Sequence, residues 1–210
     1  MIGWFGANPK EHNEEPLHAL HLRVGAPIPG AEMAIISHSH QFVLLHIEKT
    51  AGCSMRKWLE GHYEDSTEQH MSIQDVQASG RWCPGYTWIG FVRNPYDRLV
   101  SWYEMECRDG GHETFEEFLE KKRGVIKPQW TFFQQALPVR VEVGSFECLE
   151  TSFRRLVALR IHEPETGLLP VENVSRGLNN KHYSEYYTVK AREIADPLCL
   201  DDCNSFGYAF

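Results

Sequence analysis

No stretch of this 210-residue chain reaches the roughly 18–20 consecutive apolar residues that a membrane-spanning helix needs. The first twenty residues, MIGWFGANPKEHNEEPLHAL, lack a basic segment followed by an apolar one, so no secretory signal is expected and a cytoplasmic location is. An excess of positive charge is also missing. The chain has 21 Lys and Arg against 29 Asp and Glu, a net charge of −8, which argues against nucleic acid as a partner. An anionic ligand would need a local gathering of cations. The six cysteines (Cys53, Cys83, Cys107, Cys148, Cys199 and Cys203) form no CxxC pair and read as reduced thiols. Cys199 and Cys203 could share a helix face but lack a His or Cys cluster that would complete a zinc site. No repeat and no low-complexity segment is present.

The composition, 42% hydrophobic and 12% aromatic, suits one globular domain with a real core. Residues 1–34 are polar, with Pro and Gly dispersed through them, and read as an irregular extension; residues 35–210 read as the folded domain. The run FVLLHI at 42–47 predicts a strand covered on both faces, followed by a loop at 48–53 and a helix through MRKWLEGHY capped by Ser54. TWIGFV at 87–92 predicts a second strand. Asn94 and Pro95 then suit the cap and first position of a helix. Thr114 suits the cap of another helix, and VRVEV at 139–143 reads as a third strand. After it, Phe146, Leu149, Phe153 and Leu156 would form one helical stripe. Thr188 would cap a last helix in which Pro197 allows a bend. Strands alternating with helices predict an α/β fold with a central, mostly parallel sheet.

Two strand–loop–helix junctions carry candidate chemistry. In HIEKTAGCS (46–54), Lys49 supplies charge, Thr50 and Ser54 supply hydroxyls, and Gly52 permits close backbone approach to an anion at a helix start. The Walker A order GxxxxGK[ST] is absent. A tight turn with a surface lysine is the competing reading. In FVRNPYDRLVS (91–101), Arg93 stands at a strand's carboxyl end, and Ser101 shares a helical face with residues 94, 97 and 98. Arg93 could fork onto a phosphate; alternatively, Arg93 and Arg98 merely pair with Asp97 or nearby acids. Ligands of open α/β sheets collect at strand carboxyl ends, which is where both junctions lie.

Together the two stretches resemble the PAPS-dependent sulfotransferases, in particular the carbohydrate branch that includes the heparan 2-O-sulfotransferases and small microbial members. PAPS is 3′-phosphoadenosine 5′-phosphosulfate; the spent product is PAP. HIEKTAGCS is similar to a 5′-phosphosulfate loop that typically reads HIPKTAGTS, and FVRNPYDRLVSWY is similar to the 3′-phosphate motif. The likeness continues through VGSFECLETSFRRL and YSEYYTVKAREIADPLCLDDCNSFGYAF, spanning roughly residues 35–210. It implies a P-loop-like three-layer α/β/α fold. Lys49, Thr50, Ala51, Gly52, Cys53 and Ser54 would take the 5′-phosphosulfate, and Arg93 and Ser101 the 3′-phosphate. Two positions depart from the pattern: Glu48 replaces proline, bringing negative charge beside an anion site, and Cys53 replaces threonine, exchanging a hydroxyl for a weaker donor.

The resemblance implies in-line transfer to an acceptor hydroxyl of a small molecule or glycan, with Lys49 stabilising the charge that grows on departing PAP. No metal is expected. Among eleven histidines, His70 is the expected general base, because it resembles the base of the 2-O-sulfotransferase branch; His62 is the second choice. His46 is expected to be structural, and His12, His18, His21, His38 and His40 solvated. The segment RGLNNKHYSEYY places Arg176, Lys181 and His182 before the last helix, and Lys181 could join the cofactor. KPQWTFFQQ, with Trp130, Phe132 and Phe133, either lines an acceptor groove or packs the core. Arg154 and Arg155 read as surface charges. A kinase-like phosphotransferase and a non-catalytic nucleotide-binding protein are the alternatives in function.

Overall fold

The computed structural model describes residues 34–67, 70–81, 83–111, 113–163, 169–170 and 181–210. The extension, apart from Ala34, lies outside the described residues with His12, His18 and His21, and so does Arg176.

One five-stranded sheet organises the chain. Its strands are β1 (Ile35–Ser37), β2 (Phe42–Leu45), β3 (Asp65–Ser66), β4 (Thr87–Val92) and β5 (Arg140–Ser145), in the order β3-β1-β2-β4-β5. β2, β4 and β5 run parallel, with Leu45 opposite Gly90 and Gly90 opposite Val143. β1 is antiparallel to both β2 and β3. The expected parallel core is therefore present, extended by an antiparallel edge. The polar residues 38–41 make the turn that folds β1 back onto β2.

Every residue of β2 and β4 is buried, because helices cover both faces. Alternation then sorts the side chains. Ile35, Phe42, Leu44, Ile89 and Phe91 face one layer with Met55 and Leu59 from α1 (Gly52–Trp58) and its C-terminal end, and Phe153 from α5 (Leu149–Phe153). Ile36, Val43, Leu45 and Trp88 face the other layer with Ile73 and Val76 of α2 (Ile73–Ala78). The remaining helices, α3 (Pro95–Arg108), α4 (Phe115–Lys122) and α6 (Val189–Phe206), share a third apolar cluster that includes Leu99, Phe118, Ile194 and Cys199. The result is a three-layer α/β/α arrangement.

Several helix starts follow local chemistry. Asn94 caps α3 by accepting from the Tyr96 amide, with Pro95 at the first position. Ser72 and Thr114 form reciprocal capping boxes with Asp75 and Glu117, and Thr188 caps α6. Ser54 does not cap α1. The helix begins two residues earlier, after Ala51, whose φ of 67° lies in the left-handed region, and it ends at Trp58 rather than running on to residue 63. Phe146 lies before α5 rather than on its stripe. Beyond Phe153 the helix widens into a π turn, Arg154–Ala158, that buries Leu156 while leaving Arg154 and Arg155 exposed. α6 runs through Pro197 without interruption.

Candidate active site

The loops after β2 and β4 leave neighbouring parallel strands at the same edge, and one bond joins them: Arg93 Nη1 donates to the Lys49 carbonyl, 3.2 Å. Lys49 and Ala51 both adopt positive φ, 66° and 67°, so the loop doubles back before α1. Thr50 is fully buried and its hydroxyl donates to the Ile47 carbonyl, 2.8 Å. Gly52 is required by a neighbour inside the protein. A Cβ there would fall 1.8 Å from His46 Cδ2, so the imidazole occupies the space that a side chain would take. Ser54 is buried in the first turn of α1 and Cys53 is half-buried.

The Lys49 side chain crosses to α3. Its ammonium lies against the Met105 sulfur and 5.2 Å from the Trp102 ring centroid. Neither neighbour offers an opposite charge. Burial, followed by the nearby positive charge of Arg108, lowers the Lys49 pKa from 10.5 to about 8. Ser101, also buried, stands one helical turn before Met105, between the Lys49 ammonium and the start of α3.

Arg93 is 6% exposed. Its Nε pairs with Asp97 at 2.9 Å, and its guanidinium stacks 4.2 Å from the Phe146 ring centroid. Among the described residues, Nη2 makes no hydrogen bond. The pairing that competes with a ligand is thus real, yet it leaves one edge of the fork unused. Arg98 is committed to protein oxygens and donates to the Glu48 carbonyl, the Glu48 carboxylate and the Lys127 carbonyl.

His70 Nδ1 sits 2.6 Å from the His46 carbonyl, and the two imidazoles meet edge to face at 4.7 Å. A carbonyl only accepts, so in the neutral ring Nδ1 carries the proton and Nε2 keeps its lone pair. His62 is not brought to this loop. Its carbonyl accepts from Ser37 Oγ, and Ser37 pairs with Phe42 at the far end of β2. His38 is exposed and bonds Tyr86, while His40 is half-buried in the same turn. Lys181 is exposed. It lies two residues before Tyr183, whose hydroxyl accepts from Asn94 Nδ2 at 3.4 Å, so the segment reaches the start of α3. Phe132 is 2% exposed, and Phe133 covers the bare face of Gly90. Phe132 is a core residue and the half-buried Phe133 packs against the core; Trp130, also half-buried, has no place in a core cluster.

Three residues that sequence reasoning overlooked hold this arrangement. The Gln129 amide clasps both backbone groups of Arg93, accepting from N at 2.9 Å and donating to O at 2.8 Å. Asp202 of α6 accepts from the amides of Gln129 and Trp130, both at 2.9 Å. Glu147 takes the Asn94 amide at 2.6 Å and the Tyr208 hydroxyl at 2.8 Å. Their partners are distant in sequence, up to 73 residues for Gln129 and Asp202, so no local pattern marks them.

A family model described as the sulfotransferase family matches residues 32–203. The chain belongs to the sulfotransferase family. No curated protein and no solved structure matches it. Membership assigns this sulfotransferase the class of sulfuryl transfer. Among the described residues, no group of three or more His, Cys, Asp or Glu gathers as a metal site, and no helix is long and apolar enough to cross a membrane.

Proposed function

We propose that this sulfotransferase uses PAPS as donor and a hydroxyl, that of a carbohydrate, as acceptor, with residues 35–210 as the catalytic unit. The observation that carries the reading is the Arg93–Lys49 bridge between the two motif loops. It places a lysine and an arginine with an unused edge at adjoining strand ends, as a ligand with two anionic groups requires. The residues suit such a donor. Lys49, Thr50, Ala51, Gly52, Cys53 and Ser54 would hold its 5′ end, and Arg93 and Ser101 its 3′-phosphate. Lys181 lies on the segment that packs on the start of α3 and would add a positive charge there.

PAPS supplies a sulfuryl group on a phosphate leaving group. Lys49 opposes the negative charge that builds at the leaving oxygen, in a setting where burial strengthens electrostatics. His70 accepts the acceptor's proton at Nε2, while its Nδ1–H bond to the His46 carbonyl fixes tautomer and ring orientation. These residues provide charge without a metal. Trp130 is the remaining candidate for stacking on a sugar. Six thiols fit work in the cytoplasm, where they stay reduced.

Thermal shifts with PAP, AMP, ADP and ATP–Mg²⁺ test the donor. PAP at about 100 times its Kd stabilises by roughly 2.7 kcal/mol, or about 5–10 °C for a chain of this size. AMP, lacking the 3′-phosphate, should do far less. A response to ATP–Mg²⁺ in place of PAP would overturn the reading in favour of a phosphotransferase. His70→Ala should keep the PAP response and lose about 10²–10⁴-fold in turnover with labelled PAPS; full turnover would remove His70 from the mechanism.

A further inference from the structure

Glu48, in the position where similar loops carry proline, does not face the site as an unmatched charge. The Glu48 carboxylate Oε2 lies 3.4 Å from Arg98 Nη2, and the Arg98 side chain is only 4% exposed. The same guanidinium donates through Nε to the Glu48 carbonyl, 2.9 Å, and through Nη1 to the Lys127 carbonyl, 3.0 Å. Arg93 takes the next carbonyl of the loop, that of Lys49. Two consecutive loop carbonyls therefore turn toward the arginines of the Arg93–Arg98 segment.

That orientation fixes where the loop's donors point. No cis peptide bond is present among the described residues, and in a trans peptide a carbonyl and the following N–H point in opposite directions. With the Glu48 and Lys49 carbonyls held by Arg98 and Arg93, the amides of Lys49 and Thr50 aim away from those arginines. The backbone needs such support. Lys49 and Ala51 are not glycines, and their positive φ values persist only where surrounding contacts enforce them.

We infer that Arg98 is a positioning residue that holds the 48–51 backbone with its amides turned outward, and that Glu48 is its counter-ion rather than a group that repels the donor. A buried guanidinium needs an opposite charge close by, and Glu48 supplies it from within the loop being held. An ion pair thus does here what a rigid proline ring would do by covalent constraint. The consequence for affinity rests on the donor-binding reading above; the consequence for the loop does not.

Two variants and two readouts test this. Arg98→Lys keeps the charge but loses the fork that reaches three oxygens. Hydrogen exchange of the unliganded variant should rise at least tenfold at the amides of residues 49–52. PAP affinity should fall tenfold or more, and KM for PAPS should rise while KM for the acceptor holds. Wild-type exchange and wild-type affinity in Arg98→Lys would overturn the inference. Glu48→Gln decides the counter-ion claim even if Arg98→Lys fails to fold. It should raise loop exchange and leave PAP affinity equal or weaker, whereas a tenfold gain in affinity would show that Glu48 repels the ligand and overturn that claim. A wild-type protein that ignores PAP would sink the donor reading alone, since exchange in the unliganded chain still decides what Arg98 holds.

Discussion

Lys49 shows how position alters a side chain's chemistry. With its pKa lowered to about 8, chiefly by burial and then by Arg108, it sits near the boundary between charged and neutral at physiological pH. An anion beside it favours the ammonium, so binding of an anionic donor should weaken as pH rises through about 8. Isothermal titration of PAP between pH 6.5 and 9.5 would locate that midpoint. Replacing Arg108 with Gln removes a charge that opposes protonation, so the midpoint should move upward; an unmoved midpoint would mean that Arg108 does not contribute to it. Gly52 was legible in the sequence as a residue that must be small, but for a different reason. The expected visitor was an anion, whereas the structure puts the His46 ring there. A missing Cβ advertises close approach without naming what approaches.

Among elements, those written in local chemistry were the most legible. β4 is the expected strand at 87–92, and α3 starts at the expected Asn94–Pro95 pair. Both are short-range statements about apolar runs and caps. The start of α1 departs from the expected Ser54 cap because the loop already turns helical at Gly52 through the left-handed Ala51. The antiparallel edge was not legible either, since β3 has two residues and its pairing with β1 spans about thirty positions. Least visible was the tie between α6 and the strand end. Asp202 is 2% exposed and holds the amides of Gln129 and Trp130, and Gln129 in turn holds Arg93. Asp202→Ala would strand two buried or half-buried amides at about 1–3 kcal/mol each. A loss of about 2–5 kcal/mol in urea unfolding is expected, together with weaker PAP binding because Arg93 loses its support. Asp202→Asn keeps one acceptor oxygen and should recover part of both. Loss of stability with unchanged PAP affinity would show that the tie does not extend to Arg93.

For the whole molecule, the alkaline limit of stability follows from what the core contains. Burial raises the pKa of Cys83, Cys199 and Cys203 above the ordinary 9.0 of a thiol. It also raises Tyr96, Tyr187 and Tyr208 above the ordinary 10.0 of a phenol, with Asp196 and Glu147 adding to the shift at Tyr96 and Tyr208. Between the unfolded and folded pKa of each group, the folded chain holds more protons than the unfolded one, so stability falls as pH rises. The fall should begin near pH 9 and steepen near pH 10. Lys49 acts in the opposite sense. Its folded pKa of about 8 lies below the ordinary 10.5, so over that window the unfolded chain binds more protons and stability gains with pH. One lysine against these thiols and phenols offsets only part of the loss. Urea unfolding at pH 8, 9, 10 and 10.5 should therefore show a declining free energy. Lys49→Met, which removes the only opposing group in this set, should steepen the decline between pH 8 and 10.5. Cys199→Ala should flatten its first part, since the most buried of these thiols would no longer resist ionisation. A wild-type profile flat to pH 10.5 would mean that these thiols and phenols ionise in place, and that the packing around α6 is looser than the structure has it.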